Sequence, residues 1–153
     1  MKILVMSDSH GNKDSMLKVV ASEAPGLILH LGDHDRDCKD IEWEYPEIPL
    51  RSIRGNCDRS SAGLDIDEFT LSGKRFFMTH GHLYGVKTGL SSIINSAASR
   101  GADILLFGHT HNAYYSVSGN LVVVNPGSVG MGKKTYAVLE LEDSVVKCDL
   151  KKL

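Results

Sequence analysis

Residues 2–10 read KILVMSDSH. The run KILVMS (2–7) is apolar without alternation, the pattern of a strand buried on both faces. It stops at Asp8-Ser9-His10, where a carboxylate and an imidazole stand two residues apart. The same design returns five more times along the chain. LILHLG (27–32) runs into Asp33-His34, RSIRG (51–55) into Asn56-Cys57-Asp58, and RFFMT (75–79) into His80-Gly81-His82. ILLFG (104–108) runs into His109-Thr110-His111, and LVVV (121–124) into Asn125-Pro126-Gly127-Ser128.

Taken alone, an Asp or His in a turn is a cap, an Asx-turn or a solvated group. Recurrence at six successive strand ends is not explained that way. In α/β sheets, binding sites form outside the carboxyl ends of the strands, where such turns converge. The spacing therefore predicts one site assembled from distant parts of the chain.

The segments between the turns give the fold class. Residues 13–23 carry Met16, Leu17, Val19 and Val20 at helical spacing, with Ala24 following and Pro25-Gly26 as the stop. LRSIRG (50–55) reads as a third buried strand. Later, DEFTLS and KRFFMT flank Gly73-Lys74 as a hairpin, and residues 87–100 read as a helix. ADILLFG (102–108) is a further buried strand, and AYYSVS and NLVVVN pair around Gly119-Asn120. TYAVLELE and SVVKCDL make a closing hairpin around Asp143. The expectation is an α/β chain of two packed sheets with helices outside, in one domain spanning residues 1–153.

Composition narrows the function classes. Seventeen basic and nineteen acidic residues leave a formal charge of -2, and no basic stretch marks a nucleic-acid surface. No segment approaches membrane-spanning length, and the N-terminus lacks a signal-peptide core. Three cysteines, Cys38, Cys57 and Cys148, form no CxxC pair and suit a reducing compartment, so a cytoplasmic protein is expected.

Asp8, Asp33, His10, His80, His109, His111 and Asn56 offer two carboxylates, four imidazoles and one amide oxygen. Oxygen and nitrogen donors without thiolate suit Mn, Fe, Co, Ni or Zn. Alternate residues of an extended chain stand about 6–7 Å apart. That span lets His109 and His111 serve neighbouring metals about 3.5–4 Å apart. An i, i+2 pair in a turn equally chelates one metal, the natural use for Asp8 and His10.

With SDSHGN, HLGD, RGNCD, THGH, FGHTH and NPGS in that order, the chain resembles the calcineurin-like metallophosphoesterases, in particular their small phosphodiesterase branch. The resemblance covers Asp8 to Ser128 and implies a four-layer α/β/β/α sandwich with a binuclear metal centre. It assigns Asp8, His10, Asp33 and His111 to the first metal, with Asp33 bridging, and Asn56, His80 and His109 to the second. It also implies a metal-bridging hydroxide that attacks phosphorus in line, without a phosphoenzyme. Two divalent cations less Asp8, Asp33 and hydroxide leave a charge of roughly +1, which favours a phosphate ester and ionises bound water near neutral pH. A neutral amide such as Asn56 completes a coordination shell without cancelling that charge.

One departure concerns Cys57, where much of the family has a histidine able to protonate the leaving oxygen. A cysteine phosphatase loop needs an arginine six residues on, but that position is Gly63. Cys57 is therefore read as a small buried group beside the metals. His82 is the candidate for protonating or positioning the ester, and Asp58 for orienting an imidazole. His34 is a further substrate contact, His30 a packed residue, and Asn125 and Ser128 hold the His109–His111 loop. The acidic residues Asp35, Asp37 and Asp40 read as a solvated loop and helix start, and Trp43 and Tyr45 stay unassigned.

The expected function is a metal-dependent phosphodiesterase acting on small phosphate esters, with two divalent ions, Mn2+ foremost. About twenty residues between Asp58 and His80, taken up by a hairpin, leave little room for a cap domain, so the site should be open and weakly selective. Neither nucleic acid nor membrane is an expected partner, and a homodimer stays open. The competing class is a non-catalytic scaffold, since the fold includes a membrane-trafficking subunit. A metal-dependent amidohydrolase, suggested by His-x-His, needs far more chain.

Overall fold

Two five-stranded sheets pack face to face in a computed structural model that describes residues 1–142 and 145–153. The first contains β1 (Lys2–Met6), β2 (Leu27–His30), β3 (Leu50–Ser52), β9 (Thr135–Glu142) and β10 (Val145–Lys152), in the order β10-β9-β1-β2-β3. The second contains β4 (Ile66–Leu71), β5 (Lys74–Thr79), β6 (Ile104–Leu106), β7 (Ala113–Ser118) and β8 (Leu121–Pro126), in the order β4-β5-β6-β8-β7. β1, β2 and β3 run parallel, as do β5, β6 and β8, while the chain-late hairpins pair antiparallel.

The continuous apolar runs are explained by burial on both faces. Along β1, Ile3 and Val5 meet Phe76, Met78, Ile104 and Leu106 of the other sheet. Its alternate residues Leu4 and Met6 meet Met16, Val19 and Val20 of α1 (Lys13–Glu23) and Ile41 of α2 (Cys38–Glu44). On the far side Phe77, Leu105 and Val123 cover Ile93 and Ala97 of α3 (Ser91–Ser99). The result is the expected four-layer α/β/β/α sandwich. Among the described residues, no helix is long and apolar enough to cross a membrane.

α1 occupies the predicted span: Asn12 accepts the Ser15 N–H at its start, and Ala24 closes it in a left-handed conformation. The helix expected over 87–100 is shorter. Gly85 turns left-handed at φ 61°, and both the backbone N–H and the hydroxyl of Thr88 bond back to its carbonyl, so helical bonding begins only near Leu90. The β4–β5 turn is Ser72-Gly73, one residue earlier than expected, with both φ values positive, as a two-residue hairpin demands. Asp143 lies outside the described residues, while β9 and β10 on either side of it pair antiparallel, as a hairpin there requires. Trp43 is exposed, and Tyr45 packs against the layer beneath α2.

Candidate metal centre

The turns after β1, β2, β3, β5 and β6 meet at one end of the sandwich, where parallel strands of both sheets finish together. Backbone geometry marks the place. Of nine non-glycine residues with positive φ among those described, six are Asp8 (54°), His10 (47°), Asp33 (58°), His34 (68°), His109 (69°) and His111 (58°). Such conformations cost about 1–3 kcal/mol each and persist only where surroundings enforce them. Two glycines let the turns close. A Cβ at Gly55 would strike the Asp33 carboxylate, and one at Gly108 would strike the Ser7 hydroxyl and Asp8 Oδ2.

Asp8 is fully buried. Its Oδ2 accepts the Ser7 hydroxyl (2.5 Å) and the His109 N–H (3.1 Å). Its Oδ1 has no hydrogen bond among the described residues, although His111 Nε2 stands 3.1 Å away, His10 Nε2 3.8 Å and His80 Nε2 3.9 Å. His10 Nε2 and His111 Nε2 face each other at 3.2 Å. Asp33 accepts the Cys57 N–H at 2.9 Å. Burial pushes the Asp33 carboxyl up, but the bonds from His80 and from the Cys57 backbone outweigh it and hold it well below the usual range.

His80 shows what the cluster is suited to hold. Its Nδ1 lies 2.7 Å from the Leu31 carbonyl, which only accepts, so Nδ1 carries the proton. Its Nε2 then faces Asn56 Oδ1 at 3.2 Å, Asp33 Oδ1 at 3.5 Å and Asp8 Oδ1 at 3.9 Å. A lone pair surrounded by oxygen acceptors requires a cation, either a proton or a metal. Burial disfavours the imidazolium, yet the Asp33 and Asp8 carboxylates raise the pKa above its ordinary value. Ligand atoms fall within 4.8 Å of one another in three groups: Asp8, His10 and His111; His10, Asp33 and Cys57; Asp33, His80 and His109. The donor set therefore fits divalent metal ions, with His109 and His111 in different groups.

All seven predicted donors come together, and around them some expectations change. Cys57 is exposed, not buried: its backbone N–H serves Asp33, and its thiol stands at the solvent-facing edge of the centre, within 4.8 Å of ligand atoms of His10 and Asp33. Asp58 orients no imidazole. Its Oδ1 accepts the His34 and Asp35 N–H groups (2.8 and 3.2 Å) and its Oδ2 the Gly55 N–H (2.8 Å), which ties the turn after β3 to the turn after β2. Ser128 holds a different loop from the one expected, donating to the Asp8 carbonyl at 2.7 Å. Asn125 does clamp the His109–His111 turn, donating to the Gly108 carbonyl and the Thr110 hydroxyl.

Asp37 is not solvated. It is buried and accepts the Ser9 hydroxyl and the Gly11 N–H, each at 2.8 Å, so it fixes the Asp8–His10 turn. Nothing in the acidic run distinguishes it from Asp35 or Asp40 before the loops meet. His82 lies beside the centre, its ring 5.4 Å from His80 and 6.1 Å from His109, with a buried Nδ1 that has no partner among the described residues. Burial and His80 push its pKa down. Burial, His80 and the Lys87 ammonium likewise bring His109 down to about 4, so its ring is neutral and free to ligate. His34 stands 5.5 Å from the His10 ring and, with Cys57 and Asp58, lines an open cleft of about 620 Å3. His30 is fully buried and accepts the Gly32 N–H.

A two-sheet sandwich with carboxylates and imidazoles converging at its strand ends is a fold of the metallophosphoesterase type. The chain belongs to the calcineurin-like phosphoesterase superfamily, whose domain matches residues 1–144. It is 31% identical to a probable metallophosphoesterase, YsnB, of Bacillus subtilis over 94% of this chain and 86% of that protein. It is 27% identical to the phosphodiesterase YfcE of Escherichia coli, over 87% of this chain and 82% of that one. A crystal structure of a predicted phosphoesterase from Streptococcus pneumoniae superposes with a TM-score of 0.82 at 26% identity, covering 99% of this chain and 88% of that chain. The fold alone is shared with Vps29 of Entamoeba histolytica, at a TM-score of 0.77 and 18% identity over 99% of both chains.

Proposed function

We propose that residues 1–153 form one catalytic domain, a phosphodiesterase that hydrolyses small phosphate esters with two divalent metal ions, Mn2+ foremost and Ni2+, Fe2+, Co2+ or Zn2+ as substitutes. The observation that carries the proposal is the buried Asp8 Oδ1, which has no hydrogen bond among the described residues and lies among the Nε2 atoms of His10, His80 and His111. Asp8, His10 and His111 would hold one ion, and Asn56, His80 and His109 the other, with Asp33 common to both. When bound, the ions supply charge for the phosphate oxygens and a hydroxide near neutral pH for in-line attack.

The chain's own residues do the rest. The Leu31 carbonyl keeps the proton on His80 Nδ1 and so leaves Nε2 free to ligate. Asp58 and Asn125 hold the turns that carry Asn56 and His109. His82, with an unpartnered Nδ1 at the edge of the centre, is the group to position the ester or protonate its leaving oxygen. His34 and Cys57 face the open cleft where one ester substituent extends. An intact donor set supports hydrolysis over a scaffold role, for which the likeness to Vps29 supplies fold alone.

The test is metal analysis of protein prepared with Mn2+, followed by a screen of phosphate mono- and diesters. About two ions per chain with diester hydrolysis is the expected outcome. Absence of bound metal together with absence of activity on every ester overturns the proposal.

A further inference from the structure

A second depression lies beside the His109–His111 turn and shares no lining residue with the cleft that holds His34. It has a volume of about 490 Å3 and is lined by Val86, Lys87, Leu90, Phe107, Thr110 and Tyr114, among others. Three features give it a chemistry. Its floor is apolar: Val86 and Phe107 are nearly fully buried, and the Tyr114 ring packs 6.5 Å from that of Phe107 with 38% of the residue exposed. It borders the turn that carries two candidate metal residues: the lining residue Thr110 lies between His109 and His111 in the chain, and the lining residue Phe107 two positions before His109. Its one charged lining residue is Lys87, which makes no ion pair among the described residues.

We propose that this groove is the subsite for an apolar substituent of the ester, aryl or alkyl, with Lys87 facing the phosphate anion. The proposal rests on the phosphodiesterase function above and adds its substrate class: organophosphate anions with at least one hydrophobic arm. Apolar surface lying against a metal-bound phosphate is covered by whatever the phosphate carries, and a single unpaired ammonium at its rim matches a single phosphate negative charge. An all-polar ester gains nothing from Val86, Leu90, Phe107 and Tyr114.

Phenylphosphonate and methylphosphonate serve as probes, since they share the anion and differ in the arm. Each is titrated into the full-length protein with Zn2+, and again with a chelator, while methyl NMR signals of Val86, Leu90 and Ala113 are followed. Covering roughly 60 Å2 more ring surface corresponds to about a tenfold affinity gain for the phenyl compound. That ratio is expected with and without metal, with shifts at Val86, Leu90 and Ala113 and none at Ala62 in the cleft that holds His34. Tyr114→Ser should bring the ratio towards one, while Lys87→Gln should weaken both probes about threefold to tenfold and keep the ratio. Equal binding of the two probes, or shifts centred on Ala62, overturns the proposal. A groove occupied by a second copy of the chain would overturn it too, and would show as phenyl binding that weakens as protein concentration rises. Should the tenfold ratio hold while the metal-loaded protein hydrolyses no ester, the groove stands and the hydrolase function falls.

Discussion

Replacing Asp58 separates a residue that acts on substrate from one that holds the turns in place. Its carboxylate is buried and accepts three backbone N–H groups, two at Oδ1 and one at Oδ2. In Asp58→Asn the amide oxygen keeps the His34 and Asp35 bonds, but the NH2 group meets the Gly55 N–H, donor against donor. One charge-assisted bond is lost and a buried donor is left unpaired, at a cost of about 2–3 kcal/mol. Asp58→Ala loses all three bonds, and because these are not additive the cost is about 3–5 kcal/mol. With a urea slope of roughly 2 kcal/mol/M, the Asn variant should unfold at a midpoint lower by about 1–1.5 M. Metal content and hydrolysis of bis(p-nitrophenyl) phosphate, measured on the same preparations, should decline together as the Asn56 and His34 turns drift apart. A variant with the wild-type midpoint and full metal content, yet hydrolysis down more than about a hundredfold, would refute the reasoning and return Asp58 to a chemical role.

Asp33→Asn is expected to lower metal occupancy more than Asp8→Asn, because Asp33 belongs to two of the three donor groups and Asp8 to one; equal loss of a single ion in both variants counts against Asp33 as the shared ligand. Cys57→Ala should change ester hydrolysis less than about threefold, since the exposed thiol has no assigned step. Cys57→His should raise rates on alkyl esters more than on nitrophenyl esters, by up to the factor of about 10² seen at the low end of general-acid help, and a matched rise on both removes that explanation. Away from the site, burial raises the Glu23 carboxyl, but bonds from Lys2, Lys151 and Tyr136 prevail and bring it from 4.5 down to about 2. A depressed folded pKa means that the stabilisation is complete above about 4.5 and is lost as pH falls towards 2. With Lys2 and Lys151 partly exposed, screening leaves this near 2 kcal/mol. The stability gap between wild type and Glu23→Gln, read by urea unfolding, should therefore narrow below pH 4; a gap constant with pH contradicts the assignment.

Much of this molecule is legible along the chain. A strand buried between a partner sheet and a helix layer must be apolar at every position, so KILVMS, LILHLG and ILLFG declare themselves without any alignment to partners. Because strands end at a common rim, the side chains that follow them declare the site as well: the rule collects Asp8, His10, Asp33, Asn56, His80, His109 and His111 together with His34, Asp58 and His82, and the family resemblance is what sorts them. Asn125 could be matched to the His109 turn because both sit at neighbouring strand ends.

What stayed hidden depends on which loops touch once the strands are ordered. Asp37 is one of three similar acidic residues until the Ser9–Gly11 turn folds over it and removes it from water. Asp58 gains two of its three backbone partners from residues 23 and 24 positions away, and Ser128 reaches a carbonyl 120 positions away. Cys57 is exposed at the rim of the centre, where its backbone N–H bonds to Asp33 across 24 positions of chain. The shortened third helix likewise follows from Gly85 and Thr88 closing a local turn. Local pattern sets which residues are apolar and where each strand stops, since those depend on neighbours in the chain. Whether a polar side chain ligates, clamps a loop or meets water depends on hydrogen-bond partners from distant segments, and only the closed tertiary structure supplies them.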